Sequence, residues 1–345
     1  MPGPPDAVVL VTEGNPDRLT GGHLYNRHLC ACLQEAGVSV AVEMAPPRRD
    51  SRLLIVDSIA LQAAFPWVAA RPRGTVAVAL MHMLPSLHAR TSHDRLRWRR
   101  LEMAFLRQVD LVVAASEDLA VWVRRLEVPG DRVHVIPPGK DGPQPPPNAA
   151  HPAGGAGPSG QKDTGLRLLC VANWFPVKNI DVLVRAVADL PEDVHLDLVG
   201  DATVDAGSTE RVQSEIERHA LTPRVHTRGA VPPERLGAFY AAANVFVLAS
   251  AHEGYATAVA EALWFGLPVV ATAVGGIPHL VTAGREGLLV PPGQPQVLTR
   301  ALRRLRDEAA LRGRMAAAAA VRGAQLPTWT DTRAALRRIL MPTLR

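Results

Sequence analysis

Apolar positions come in short blocks with the length of buried strands: Ala7 to Val11, Val38 to Val42, Leu53 to Ser58 with its polar end, Thr75 to Leu80, and the strand feeding a helix within Val109 to Glu117 in the first part. Leu166 to Val171, Val194 to Val199, Val245 to Leu248 and Val269 to Ala271 follow. Stretches of helix formers separate these blocks, so the pattern predicts an α/β fold in which strands and helices alternate. The first helix is expected between the Gly21-Gly22 pair, which precedes it, and Gly37, which ends it. Another is expected over residues 92–108, SHDRLRWRRLEMAFLRQ, with Ser92 as its N-cap.

The alternation lapses once. Asp141 to Gly165 reads DGPQPPPNAAHPAGGAGPSGQKDTG, rich in proline and glycine and without apolar period, which predicts a linker. It divides an N-terminal domain, residues 1–140, from a second domain, residues 166–328, and a last helix occupies residues 329–345. Within the linker, Gly155 to Lys162 superficially resembles a phosphate loop, yet it follows no strand and lacks the Gly-Lys-Ser/Thr ending.

Chemistry concentrates in residues 245–291, which read as strand, loop, helix and strand. Glu253 falls in the loop after the strand, and Glu261 lies eight residues on, about two helical turns away. In an open α/β sheet both carboxylates can border one crevice. The helix start near Ala256, Thr257 and Ala258 offers backbone N–H groups and a positive dipole end to a diphosphate. Glu261 can take two vicinal ribose hydroxyls, Glu253 can hold hydroxyls of a sugar, and Gly275-Gly276 lets backbone approach closely. Lys178, in a strand-to-helix loop, is placed to neutralise a diphosphate as a point charge. His82, just past a strand, points toward the crevice of the first sheet.

Composition narrows the classes. A length of 345 residues with 47% hydrophobic and 21% charged residues suits two ordinary globular domains. The net charge of +5 rests on arginine, since only Lys140, Lys162 and Lys178 are lysines. With 4% aromatics and no zinc-finger, RRM or KH pattern, nucleic acid is not an expected partner. Cys30, Cys32 and Cys170 cannot all pair, and the histidines His82, His88 and His93 have no zinc spacing, so no metal is expected. No leader pattern and no apolar run of about 18 residues is present, which points to a cytoplasmic protein. The arginines Arg95, Arg97, Arg99 and Arg100 on the 92–108 helix leave room for peripheral contact with an anionic membrane.

The ordered string EGYATAVAEAL, GLPVVAT, VGGIPHLV, GLLVPPG closely resembles the donor-binding signature of the retaining glycosyltransferases of family four. That resemblance implies the GT-B fold, two facing Rossmann-like domains with parallel sheets and an interdomain cleft. It also implies transfer of a sugar from a nucleoside diphosphate sugar to an acceptor with retention and without metal or other cofactor. On the residues it implies that Glu253, with Gly254, Tyr255, Ala256 and Thr257, meets the donor, that Glu261 meets the ribose, and that His82 contacts the donor sugar. Gly21 and Gly22 resemble the N-terminal glycine loop facing the diphosphate. Arg228 lies in VHTRGAVP, similar to the family segment whose backbone reads the base. The terminal helix resembles one that crosses back onto the first domain in GT-B enzymes.

Departures are local. The family's G-R-x-x-x-x-K-G becomes Ala172-Asn173 through Lys178-Asn179, so Lys178 keeps the phosphate role while Asn173 offers only hydrogen bonds. That leaves two alternatives beside the transferase: a nucleotide-sugar epimerase of GT-B fold, or a catalytically silent binding or partner protein. Base, sugar, acceptor and oligomeric state leave no trace in the sequence.

Overall fold

A computed structural model describes residues 7–14, 20–44, 51–89, 91–140 and 165–344. The linker expected over 141–165 lies outside the described residues except for Gly165, and so does the Gly155–Lys162 piece. The chain forms two compact units, Met1–Asp141 with Pro327–Arg345, and Gly142–Leu326.

The first unit holds six strands: β1 (Val8–Thr12), β2 (Val40–Met44), β3 (Leu53–Asp57), β4 (Val76–Met81), β5 (Leu111–Ala114) and β6 (Val133–Val135). They form a parallel sheet in the order β2-β1-β3-β4-β5-β6. Strands β1 and β3 are buried along their whole length, which is why they read as unbroken apolar runs. At the edge, β2 leaves Val42 and Met44 exposed.

The second unit repeats the scheme with β7 (Leu166–Val171), β8 (Val194–Val199), β9 (Val225–Gly229), β10 (Val245–Leu248), β11 (Val269–Thr272) and β12 (Gly287–Val290). Its parallel order is β12-β11-β10-β7-β8-β9. Each sheet is therefore doubly wound. The winding reverses between β1 and β3 in the first unit and between β7 and β10 in the second, and loops leaving the carboxyl ends of such a pair part to leave a crevice.

Two expected helix starts move. Thr91, not Ser92, caps the helix Ser92–Leu106: its backbone is extended and its hydroxyl accepts from Asp94 N at 3.0 Å. Gly21 and Gly22 form the first turn of the helix Gly21–Gln34 rather than a loop before it, because Thr20 supplies the cap by accepting from His23 N.

The last helix, Trp329–Leu340, belongs to the first unit and packs along Gly21–Gln34. Trp329 stacks on His28 with ring centroids 3.8 Å apart, Arg333 reaches His28 Nδ1 and Glu35, and Arg337 binds Glu35 and the Cys32 carbonyl. Thr328 and Asp331 close its first turn as a reciprocal cap. Trp329, Leu336 and Leu340 thereby enter the core around Tyr25, Leu29 and Leu33. Trp329→Ala should lower stability by about 3–5 kcal/mol, the usual range for truncating a buried tryptophan. Chemical denaturation followed by circular dichroism checks this, and an unchanged midpoint would show that the helix does not contribute to the core.

Candidate functional site

In the second unit the residues that follow β7 and β10 meet at the reversal of the sheet. Lys178 ends a short turn, Pro176–Lys178, and its Nζ donates to Glu253 Oε1 at 2.6 Å. Ser250 Oγ donates to the same oxygen at 2.6 Å, and Thr272 Oγ1 donates to the Ser250 carbonyl. Glu253 is buried, with its side chain 8% exposed, while that of Lys178 is 23% exposed. A carboxylate so far from water is stable only when paired, and the ammonium group supplies the pairing.

Backbone contacts hold the two loops in register. Ala251 N donates to the Val177 carbonyl at 2.7 Å, and Asn179 Nδ2 donates to the Ala249 carbonyl. Asn179 sits at φ +48°, a left-handed conformation in which asparagine is the best tolerated substitute for glycine, so this departure from the family pattern preserves the turn. Gly275 has φ +51°, and a Cβ there would lie 1.8 Å from the Glu253 carbonyl oxygen; Gly276 N donates to that oxygen at 3.0 Å. The glycine pair thus lets the chain after β11 press against the Glu253 loop.

Gly254 and Tyr255 lead into Ala256, which caps the helix Thr257–Trp264 at φ +68° with no side-chain oxygen. The N–H groups of Thr257 and Ala258 are left to a ligand or water, whereas Val259 N already donates to the Ala256 carbonyl at 2.9 Å. Glu261 lies on the same helix and accepts from Tyr240 Oη at 2.6 Å. Burial first, and the Glu261 charge second, hold the Tyr240 phenol well above its ordinary pKa, so it stays a donor. Phe246 and Phe265 stack on Tyr240 and fix its ring. Tyr240 was not singled out from sequence, since one tyrosine on an amphipathic helix carries no motif.

Other expected residues have structural partners. Asn173 Oδ1 accepts from Asp201 N at 2.9 Å, tying the loop after β7 to the loop after β8. Arg228 Nε donates to Asp197 Oδ1 at 2.6 Å, where the register of β8 and β9 shifts.

In the first unit, Gly22 and His82 lie together: a Cβ on Gly22 would come within 3.2 Å of the imidazole. His82 Nε2 is 3.1 Å from Asn26 Oδ1, and Asn26 Nδ2 donates to Asp57 Oδ2 at 2.6 Å. Asp57 is buried and also accepts from Thr12 Oγ1, Ser58 Oγ and Ile59 N. Burial dominates in pushing the His82 pKa down, against a smaller upward pull from Asp57. Gly21 opens the same helix. Sequence reading found His82 but not Asn26, because an asparagine inside a helix gives no signal until the fold brings β3 and β4 beside it.

The helix Ser92–Leu106 borders a pocket of about 410 Å3 whose lining includes Leu84, Leu87, Arg95, Arg99 and Trp122. Beneath it Glu102 is fully buried and accepts from Ser86 N and Oγ. No helix among the described residues is long and apolar enough to cross a membrane, and no three metal-ligating side chains come together there. Cys30, Cys32 and Cys170 are free thiols.

Comparison with known proteins places this geometry. Residues 157–322 match the family described as Glycosyl transferases group 1, and residues 48–141 match Glycosyltransferase Family 4. D-inositol 3-phosphate glycosyltransferase of Streptomyces avermitilis is 31% identical over 272 residues, covering 74% of this chain and 58% of that protein. The enzyme of the same name from Thermomonospora curvata is 30% identical, covering 77% of this chain and 66% of that protein. The chain thus spans between about a third and two thirds of the length of such curated relatives. Among solved structures, sucrose-phosphate synthase of Thermosynechococcus elongatus superposes with a TM-score of 0.80 at 21% identity, covering 97% of this chain and 98% of that one. HepE of Anabaena, solved with UDP and glucose, superposes with a TM-score of 0.76 at 20% identity, covering 97% of this chain and 99% of that one. The fold is the α/β, GT-B type of these structures, and the chain belongs to the group 1 glycosyl transferases of family four.

Proposed function

We propose that the protein transfers a sugar from a nucleoside diphosphate sugar to an acceptor, with retention and without a metal ion. The observation that carries this reading is the 2.6 Å pair of Lys178 and Glu253 at the reversal of the second sheet. A donor would exchange partners there: its diphosphate takes the Lys178 ammonium, and hydroxyls of its sugar donate to Glu253. Both charges then stay satisfied, and Lys178 stabilises negative charge as it develops on the leaving diphosphate. The start of the helix at Thr257 adds N–H donors to the same phosphates. Glu261, held by Tyr240, accepts the two ribose hydroxyls. HepE was solved with UDP and UDP-glucose, which makes uridine nucleotides the first donors to test.

On the first unit, the pocket beside Arg95 and Arg99 suits an anionic acceptor, and the curated relatives are named for a phosphorylated inositol. The same helix exposes Arg97, Arg100 and Leu96, which supports peripheral membrane contact if the acceptor is lipid-linked. Asn173 in the position of the family's arginine favours one rival, a binding protein without turnover.

Incubation with a panel of nucleotide sugars separates these readings. Release of nucleotide and slow donor hydrolysis that vanish in Glu253→Gln support the transferase; an isomerised donor points to an epimerase, and binding without turnover to the silent protein. Lys178→Ala should weaken nucleoside diphosphate binding by about 1.5–3 kcal/mol, the range for a hydrogen bond to a charged group. Unchanged affinity by calorimetry would remove Lys178 from the site. Gly275→Ala should displace the Glu253 loop and lower donor turnover about 100-fold, the effect of misplacing a reacting group by about 1 Å. Full turnover in that variant would show that the close approach is unimportant.

A further inference from the structure

The polar chain behind His82 has a chemical direction. Asp57 is a carboxylate with only acceptor oxygens, so the group of Asn26 that lies 2.6 Å from it must be the amide NH2. The opposite orientation would set a carbonyl oxygen against a carboxylate oxygen. Asn26 therefore turns its Oδ1, an acceptor, toward His82 Nε2 at 3.1 Å. A nitrogen that meets an acceptor at this distance carries a proton. In the neutral ring Nδ1 is then the acceptor, and it has no protein partner among the described residues.

Further contacts fix the ring. Ser58 Oγ accepts from His82 N at 3.1 Å and lies beside Asp57, Tyr25 meets the imidazole edge-on at 5.0 Å, and Gly22 leaves space for its Cδ2 side. Asp57 is itself held by Thr12 at the end of β1, beside the reversal of the sheet.

We infer that Asn26 and Asp57 are positioning residues that lock His82 as the Nε2–H tautomer, so that Nδ1 is presented to the ligand as a hydrogen-bond acceptor for a hydroxyl group. The partner so selected is a polyol hydroxyl, and a carbonyl or phosphate oxygen at the same place would be refused. The ligand in this statement rests on the transferase reading, whereas the tautomer does not.

Among the described residues, the charged and titratable groups that face His82 are Asp57 on β3 and His23 and Tyr25 on the helix Gly21–Gln34. Burial outweighs Asp57 and keeps the imidazole neutral below the ordinary histidine range. Protonation removes the Nδ1 acceptor, so the transfer rate should persist to more acidic pH than an ordinary histidine allows and then fall.

Nitrogen-15 correlation spectra of the imidazoles in the ligand-free full chain test the tautomer, with His82 assigned through the signal lost in His82→Gln. The expected result is a pyrrole-type Nε2 and a pyridine-type Nδ1 at neutral pH. A protonated Nδ1, or an averaged pair of nitrogens, would overturn the inference. Asp57→Asn makes the carboxylate an amide, removes the direction of the chain and should give averaged nitrogens. Its donor turnover should drop about 10- to 100-fold, as when an outer partner of a metal-bound histidine is removed, with affinity for UDP unchanged. A single Nε2–H tautomer persisting in that variant also overturns the inference, and should the variant not fold, the wild-type spectrum still decides. Absence of turnover with every donor would sink the transferase reading while leaving the spectrum interpretable.

Discussion

Lys178 and Glu253 form the contact that joins the two loops at the reversal of the second unit's sheet. Each comes from a loop that leaves one of the two strands flanking the reversal of the sheet, β7 and β10, and their side chains meet at 2.6 Å. The carboxylate is not tolerable alone. A carboxylate with 8% exposure needs a cation or several donors, and Lys178 together with the Ser250 hydroxyl supplies both. The pairing restrains both loops in the absence of ligand. On the proposed function, an incoming pyrophosphate would compete with a carboxylate, and that competition would be relieved when the ligand brings hydroxyls for Glu253. A nucleoside diphosphate without its sugar offers half of that exchange.

The first unit uses the same topological device with opposite chemistry. At the reversal between β1 and β3 it gathers Thr12, Asp57, Ser58 and Asn26, and among the described residues the carboxylate is satisfied by neutral donors. That network ends at His82 and gives the ring a defined face. One unit therefore presents charge suited to phosphates, and the other presents neutral, oriented groups suited to hydroxyls. Such a division follows from the residue types at the two reversals and needs no assumption about the ligand.

Left-handed backbone marks the second unit's site. Asn179 and Ala256, two of the few non-glycine residues with positive φ, both stand immediately before helices that open at the site. Left-handed backbone at an alanine costs on the order of 1 kcal/mol, and Ala256 is buried, so the surrounding packing offsets that cost. The consequence is a helix start with no side-chain cap, where backbone N–H groups remain available to an anion. At Asn179 the same conformation explains why the family's glycine can be replaced without losing the turn.

Much of this was legible in the order of residues. Short valine-rich blocks alternating with helical stretches specify parallel strands and crossovers, since a strand buried on both faces must be apolar throughout. The string from Glu253 to the glycine pair at Gly275 carries its own spacing, and with it the two glutamates, the helix start and the close backbone approach. Lys178 and His82 were visible as polar residues just beyond strands. Asn26, Tyr240 and Asp57 as a buried acceptor were not, and neither were the partners that occupy Asn173 and Arg228. Each of these depends on which strands become neighbours and on which rotamer meets which backbone group across tens of residues. Local pattern records burial and period, which act on every residue separately, whereas the direction of a hydrogen-bond chain such as Asp57–Asn26–His82 exists only once three distant segments are packed together.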